Sequence, residues 1–204
     1  MNSGIDSAPA PDSDLLVLFE THATSIDNEA GLASGWFDAP LSAAGEAQAR
    51  ALGERRRDDT LAAVFCSDLV RSIRTAEIAF GARGLPIAHD RRLRECHYGA
   101  RTRDPAAAIE AERGAYVDRP FPDGESYRDV VERVRAWLAE ATSAFAGNTV
   151  LVIGHRATFY AFEHLLHHVP LDQVVTSPWQ WQPGWGYRAG ITIDSAPTNR
   201  AREC

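Results

Sequence analysis

Two histidines stand just past apolar runs of the chain, and an imidazole so placed can act as a nucleophile, a base or a donor to an anion. His22 lies in Glu20-Thr-His-Ala-Thr-Ser-Ile-Asp-Asn28, directly after Leu15-Leu-Val-Leu-Phe19, and His155 follows Val150-Leu-Val-Ile-Gly154. Short apolar runs bounded by polar, turn-forming residues read as buried strands. In open α/β sheets, ligands bind at the carboxyl ends of such strands. A lone histidine after a strand reads more readily as a satisfied loop residue than as a catalytic one. Two strands with the same ending are expected to bring His22 and His155 face to face across one crevice.

The elements that would carry them follow in order. Ser42 is a candidate N-cap for an Ala- and Arg-rich helix to about Arg57. Leu61–Cys66 is the next strand, and Ser67-Asp68 is expected to cap a helix whose apolar face is Leu69, Ile73, Ala76 and Phe80. Arg71 falls in the first turn of that helix. Pro86-Ile-Ala reads as a short strand, Arg91–Gly99 as a charged loop, and Asp104-Pro105 as the opening of a short helix to about Arg113. Glu125 or Ser126 starts the longest helix, with the stripe Val130, Val131, Val134, Trp137, Leu138, Ala141 and Phe145, stopped by Gly147. A helix over 157–168 follows His155, and Gly186–Asp194 alternates as a final edge strand. Strands alternating with helices give a three-layer α/β/α sandwich with a mostly parallel central sheet.

The chain's 204 residues fit one domain, and the net charge of −7 argues against a nucleic-acid or anionic-membrane surface. Residues 1–13 read as a flexible leader, 14–195 as the domain and 196–204 as a polar tail. With no long apolar run and no basic, hydrophobic start, the expected location is cytoplasmic. Cys66, Cys96 and Cys204 are widely spaced and read as free thiols, two inside the fold. His89, His97, His164, His167 and His168 read as surface or helix-end residues; His164 and His168 have metal-ligand spacing without an evident third ligand. Trp179, Trp181 and Trp185 are expected to cover the core or form a pocket lid, a carbohydrate platform being second.

In combination these residues resemble the histidine phosphatase superfamily, which includes phosphoglycerate mutases and many small phosphatases. His22, Ser25 and Asn28 fit the spacing of its first motif, and Gly31–Leu41 resembles the Gly-Trp-x-Asp-x-Pro-Leu stretch that follows. Ser67-Asp-Leu-Val-Arg-Ser-Ile-Arg-Thr-Ala76 resembles the second motif, with its arginine at Arg71. Leu93–Gly99 is similar to the segment holding the family's acid, at Glu95. Pro122-Asp-Gly-Glu-Ser126 and Gly154-His155 complete the series.

The resemblance implies a metal-independent phosphatase, without cofactor, acting on a small phosphorylated substrate. His22 would attack phosphorus and become phosphohistidine, Arg71, His155 and Asn28 would hold the phosphoryl oxygens, and Glu95 would protonate the leaving group and then activate water. Inorganic phosphate or sulfate would fit the same site. Outside the motifs, Arg71 reads as a helix-surface ion-pair partner and Glu95 as a member of a solvated cluster with Arg92, Arg94 and His97.

The pattern departs from the family at residue 21, where Thr21 stands in place of the arginine that precedes the histidine. Ala23 and Thr24 replace the glycine and acidic positions. Lost charge at a phosphoryl group implies weak activity, with Arg156 or Arg74 as compensating donors beside a helix N-terminus. A catalytically silent phospho-ligand-binding relative is the alternative. A mutase is less favoured because residues 100–121 are short and Arg101, Arg103, Arg113 and Arg119 are scattered. A purely structural protein would leave His22, Arg71, Glu95 and His155 together by coincidence.

Overall fold

Every residue of Val150-Leu-Val-Ile153 is fully buried, which requires cover on both faces of the strand they form. The computed structural model describes residues 14–190; the expected leader, the last part of the expected final strand (191–194) and the tail lie outside them. The strands are β1 (Leu15–Thr21), β2 (Ala63–Cys66), β3 (Ile87–His89), β4 (Thr149–Gly154) and β5 (Trp185–Ala189). Among the described residues they form one sheet in the order β3-β2-β4-β1-β5, in which β1, β2, β3 and β4 pair in parallel and β5 runs antiparallel to β1.

The helices are α1 (Ile26–Glu29), α2 (Ala43–Arg55), α3 (Val70–Phe80), α4 (Ala106–Glu112), α5 (Tyr127–Ala144), α6 (Arg156–Leu166) and α7 (Leu171–Thr176). Val150 and Val152 pack with Trp137, Phe162 and Val134 under α5 and α6. Leu151 and Ile153 point the other way, to Leu52, Ala76 and Phe80 of α2 and α3. This alternation makes the three-layer α/β/α sandwich that the sequence implies.

The long helix begins where expected, with Ser126 capping α5 and Asp129 closing a capping box. Ser42 caps α2 through the Gly45 amide at 3.1 Å. At α3 the expectation of a Ser67-Asp68 cap is corrected: the Asp38 carboxylate, from the 31–40 loop, accepts from the Val70 amide at 2.6 Å. Of the local candidates, the Ser67 hydroxyl accepts from the Leu69 amide only at 3.4 Å and lies against His155, and the Asp68 carboxylate is paired with Arg94. Helix α6 ends at Leu166, short of the expected 168, where His168 takes the left-handed conformation (φ 57°). Helices α1 and α7 were not anticipated by periodicity, each being too short to show one.

Candidate active site

Register places the two histidines. In the parallel pair β1–β4, Thr21 lies opposite Gly154, so the next residue of each strand, His22 and His155, leaves the sheet at one level. The His22 amide donates to the Gly154 carbonyl at 3.0 Å, extending the ladder by one bond. The imidazole centroids are 4.9 Å apart. Gly154 is required there, since a Cβ would lie 2.8 Å from the Phe19 ring.

Arg71, 2 % exposed in the first turn of α3, joins them. Its Nε donates to His22 Nε2 at 3.3 Å, and one Nη lies 3.4 Å from His155 Nδ1. Carbonyls of the 31–40 loop aim the guanidinium: Phe37 accepts at 3.0 Å and Gly35 at 2.8 Å. His22 Nδ1 lies 2.8 Å from the Ala23 carbonyl, which fixes the proton there and leaves Nε2 unprotonated, its lone pair accepting from Arg71. Burial, then the Arg71 charge, lowers the His22 pKa to about 3, against the opposing pull of that carbonyl. Burial, then Arg71, also holds His155 well below its ordinary value. Both rings are neutral near pH 7, as a nitrogen nucleophile must be.

Glu95 lines the same cavity, which measures about 350 Å³ and also reaches Thr21, Asn28 and Arg156. Its Oε1 accepts from the Cys96 amide at 2.8 Å and the Ala157 amide at 3.2 Å, so the first turn of α6 holds the carboxylate. The alternative of a solvated cluster is not what forms. Arg92 pairs with Asp90 and Glu140, Arg94 pairs with Asp68, and His97 packs on Trp36.

The other candidates are placed less directly. Asn28 lines the cavity while its Oδ1 accepts from the Ser25 amide, and Ser25 is fully buried as the cap of α1. Arg156 reaches the wall, but its guanidinium is engaged by Glu110 and lies 5.1 Å over the Trp179 ring. Arg74 is half-exposed on α3, paired with Glu77, and is absent from the cavity. Trp179 and Trp181 stand at the cavity, while Trp185 packs on Phe19 and Phe159. His164 Nδ1 lies 2.8 Å from the Val169 carbonyl. Burial pushes the Cys66 thiol up to about 12 and Cys96 upward as well, so neither is a ready nucleophile.

Sequence reasoning missed Ser67, whose hydroxyl is 2.7 Å from His155 Nε2, and Tyr98 and Tyr127, which line the cavity beside Glu95. A serine immediately after a strand was visible, but only the fold brings it to a residue 88 positions away.

The profile of the histidine phosphatase superfamily (branch 1) matches residues 18–180. A Salmonella arizonae protein named probable phosphoglycerate mutase GpmB is 36 % identical over 149 residues, 69 % of each chain. YhfR of Bacillus stearothermophilus superposes with a TM-score of 0.74 at 25 % identity, covering 89 % of this chain and 98 % of that one. A mycobacterial glucosyl-3-phosphoglycerate phosphatase, in complex with VO3, gives 0.70 at 26 % identity, covering 80 % and 86 %. With the profile running from the first strand into the tryptophan loop, the chain belongs to the histidine phosphatase superfamily.

Proposed function

We propose that this protein is a metal-independent phosphatase that hydrolyses a small phosphomonoester through a phosphohistidine on His22. The observation that carries the reading is the unprotonated Nε2 of His22, which accepts from Arg71 beside His155 in a cavity that Glu95 also lines. In the first step Nε2 attacks phosphorus in line while the bond to the leaving oxygen breaks and Glu95 delivers a proton to it. Arg71, His155 and Asn28 meet the phosphoryl oxygens. In the second step Glu95 takes a proton from water, which attacks phosphorus and frees the imidazole. Thr21 brings no charge to the site, and Arg156, which also lines the cavity, is already engaged by Glu110, so turnover is expected to be slow.

The mutase reading loses ground because the arginines of 100–121 are committed. Arg101 pairs with Asp104 and Glu112, Arg103 with Asp27, Arg113 with Glu110, and Arg119 lies over Tyr116. The test is phosphate release from a panel of phosphomonoesters in the presence of chelator, beside a His22→Ala control. Chelator-resistant release that the control abolishes supports the reading. Covalent label from a phosphorus-labelled ester on His22 separates it from a silent binding protein, which would acquire none. Vanadate, a mimic of five-coordinate phosphorus, is expected to inhibit.

A further inference from the structure

His22 stands at the meeting of two cavities. Beside the one that holds Arg71 and Glu95 lies a second, of about 400 Å³, between the end of β1, α2 and the tryptophan loop. Thr21, His22, Thr24 and Trp181 line both. The second cavity has a largely apolar wall, with Ala23, Ala51 and Leu52, and polar groups at Gln48 and Thr75. Among the described residues its one cation, Arg55, is paired at 3.0 Å with the buried Glu20.

A phosphomonoester has one organic substituent and uses one cavity, the one reached by Glu95. Its charge at pH 7 is about −1.5 to −2, which calls for more than one cation at phosphorus. Here, among the described residues, the guanidinium groups lining the first cavity are those of Arg71, Arg113 and Arg156, and Arg113 and Arg156 are both bound to Glu110. Arg71 donates to carbonyls and imidazole and is the cation left for the phosphoryl group. One cation matches one negative charge, and a phosphodiester carries one.

Resting on the phosphatase reading of the same site, we infer that the protein also cleaves phosphodiesters, with the leaving group in the Glu95 cavity and the retained substituent in the second cavity past Thr21. The balance is that of the monoester reaction with one oxygen esterified. Nε2 forms the bond to phosphorus, the bond to the leaving oxygen breaks, and Glu95 supplies its proton. Water then displaces the imidazole and releases a phosphomonoester. The retained group is a compact, uncharged one, as the Ala51, Leu52 and Trp181 wall requires.

The test compares para-nitrophenyl phosphate with its methyl and phenyl diesters, following initial nitrophenolate release with chelator and a His22→Ala control. The phenyl diester is expected to be cleaved within about tenfold of the monoester in kcat/KM, and about tenfold better than the methyl diester. Ala51 is exposed on α2, and Ala51→Trp fills the second cavity from the surface. It is expected to lower the ratio of phenyl-diester to monoester cleavage by about tenfold or more. Thr21→Arg, which adds a cation and narrows the passage, is expected to lower the same ratio. Monoester cleavage without diester cleavage, or ratios unmoved by both substitutions, overturns the inference and leaves the phosphatase reading standing. A folded protein that cleaves neither ester overturns both.

Discussion

On the proposed mechanism, Ser67 sets which nitrogen of His155 carries the ring proton. With the hydroxyl 2.7 Å from Nε2, a serine that donates leaves the ring proton on Nδ1, the atom on the Arg71 side, where it can donate to a phosphoryl oxygen. A serine that accepts leaves Nδ1 a lone pair, useless toward an anion. Ser67→Ala removes that control with little change in volume. It should lower kcat/KM by about tenfold, the worth of one hydrogen bond, with the loss mainly in kcat. His155→Ala should cost on the order of a hundredfold or more, as for a lost oxyanion donor. Equal losses in both variants would mean that Ser67 does more than orient the ring. Arg71 makes a parallel case, since its fork is held by the Gly35 and Phe37 carbonyls in two directions. A lysine can keep the charge but not both braces, so Arg71→Lys should fall close to Arg71→Ala in rate rather than to the parent.

The same carbonyls show that the 31–40 loop acts as part of the α3 N-terminus. Asp38 caps the helix, Phe37 and Gly35 aim the arginine one residue further on, and Trp36 donates to the Glu95 carbonyl at 2.7 Å. Asp38→Ala should therefore lower stability by about 1 kcal/mol, the usual worth of a cap. For a chain of this length that is roughly 2–4 °C in Tm. It should also lower activity more than its exposed position suggests, and an unchanged rate would show that Arg71 is held without the cap. Helix α2 buttresses the other side of the site. Gly45 lies so close to the His22 loop that a Cβ would stand 2.0 Å from the Thr24 carbonyl, and Gly45→Ala should displace that loop and cost both stability and rate. The strands, the long-helix stripe and the caps at Ser42 and Ser126 were legible because local pattern and local chemistry agree there. The α3 cap was not, because Ser67 and Asp68 look like a cap until distant partners, His155 and Arg94, take them.

At the scale of the whole molecule, the paired endings of β1 and β4 were legible as sequence, and parallel register turned them into one site. What lay beyond reach was the partnering of long side chains, such as Arg156 with Glu110, and the second cavity, both products of packing between segments far apart in the chain. Bringing two imidazoles into the interior has a consequence for the fold as a whole. Both His22 and His155 have native pKa values below the unfolded value of about 6.5, mainly through burial. Between the native and unfolded values the unfolded chain binds protons that the native protein does not, so stability rises with pH across that window and is lost as pH falls below about 6.5. Each ring contributes at most about 1.4 kcal/mol per pH unit there. The ion-paired carboxylates Asp68 and Asp90 have lowered pKa values, so their own contributions are lost only in more acidic solution, and the range from pH 7 to 5 reports on the histidines. Urea unfolding across that range should show a marked loss in the parent protein. In His22→Asn, which cannot be protonated, the decline should be about half as steep, since one of the two rings remains. A decline of the same slope in both proteins would mean that His22 is free to take up a proton in the folded state, and with it would go the argument that its nucleophilic lone pair is protected by burial beside Arg71.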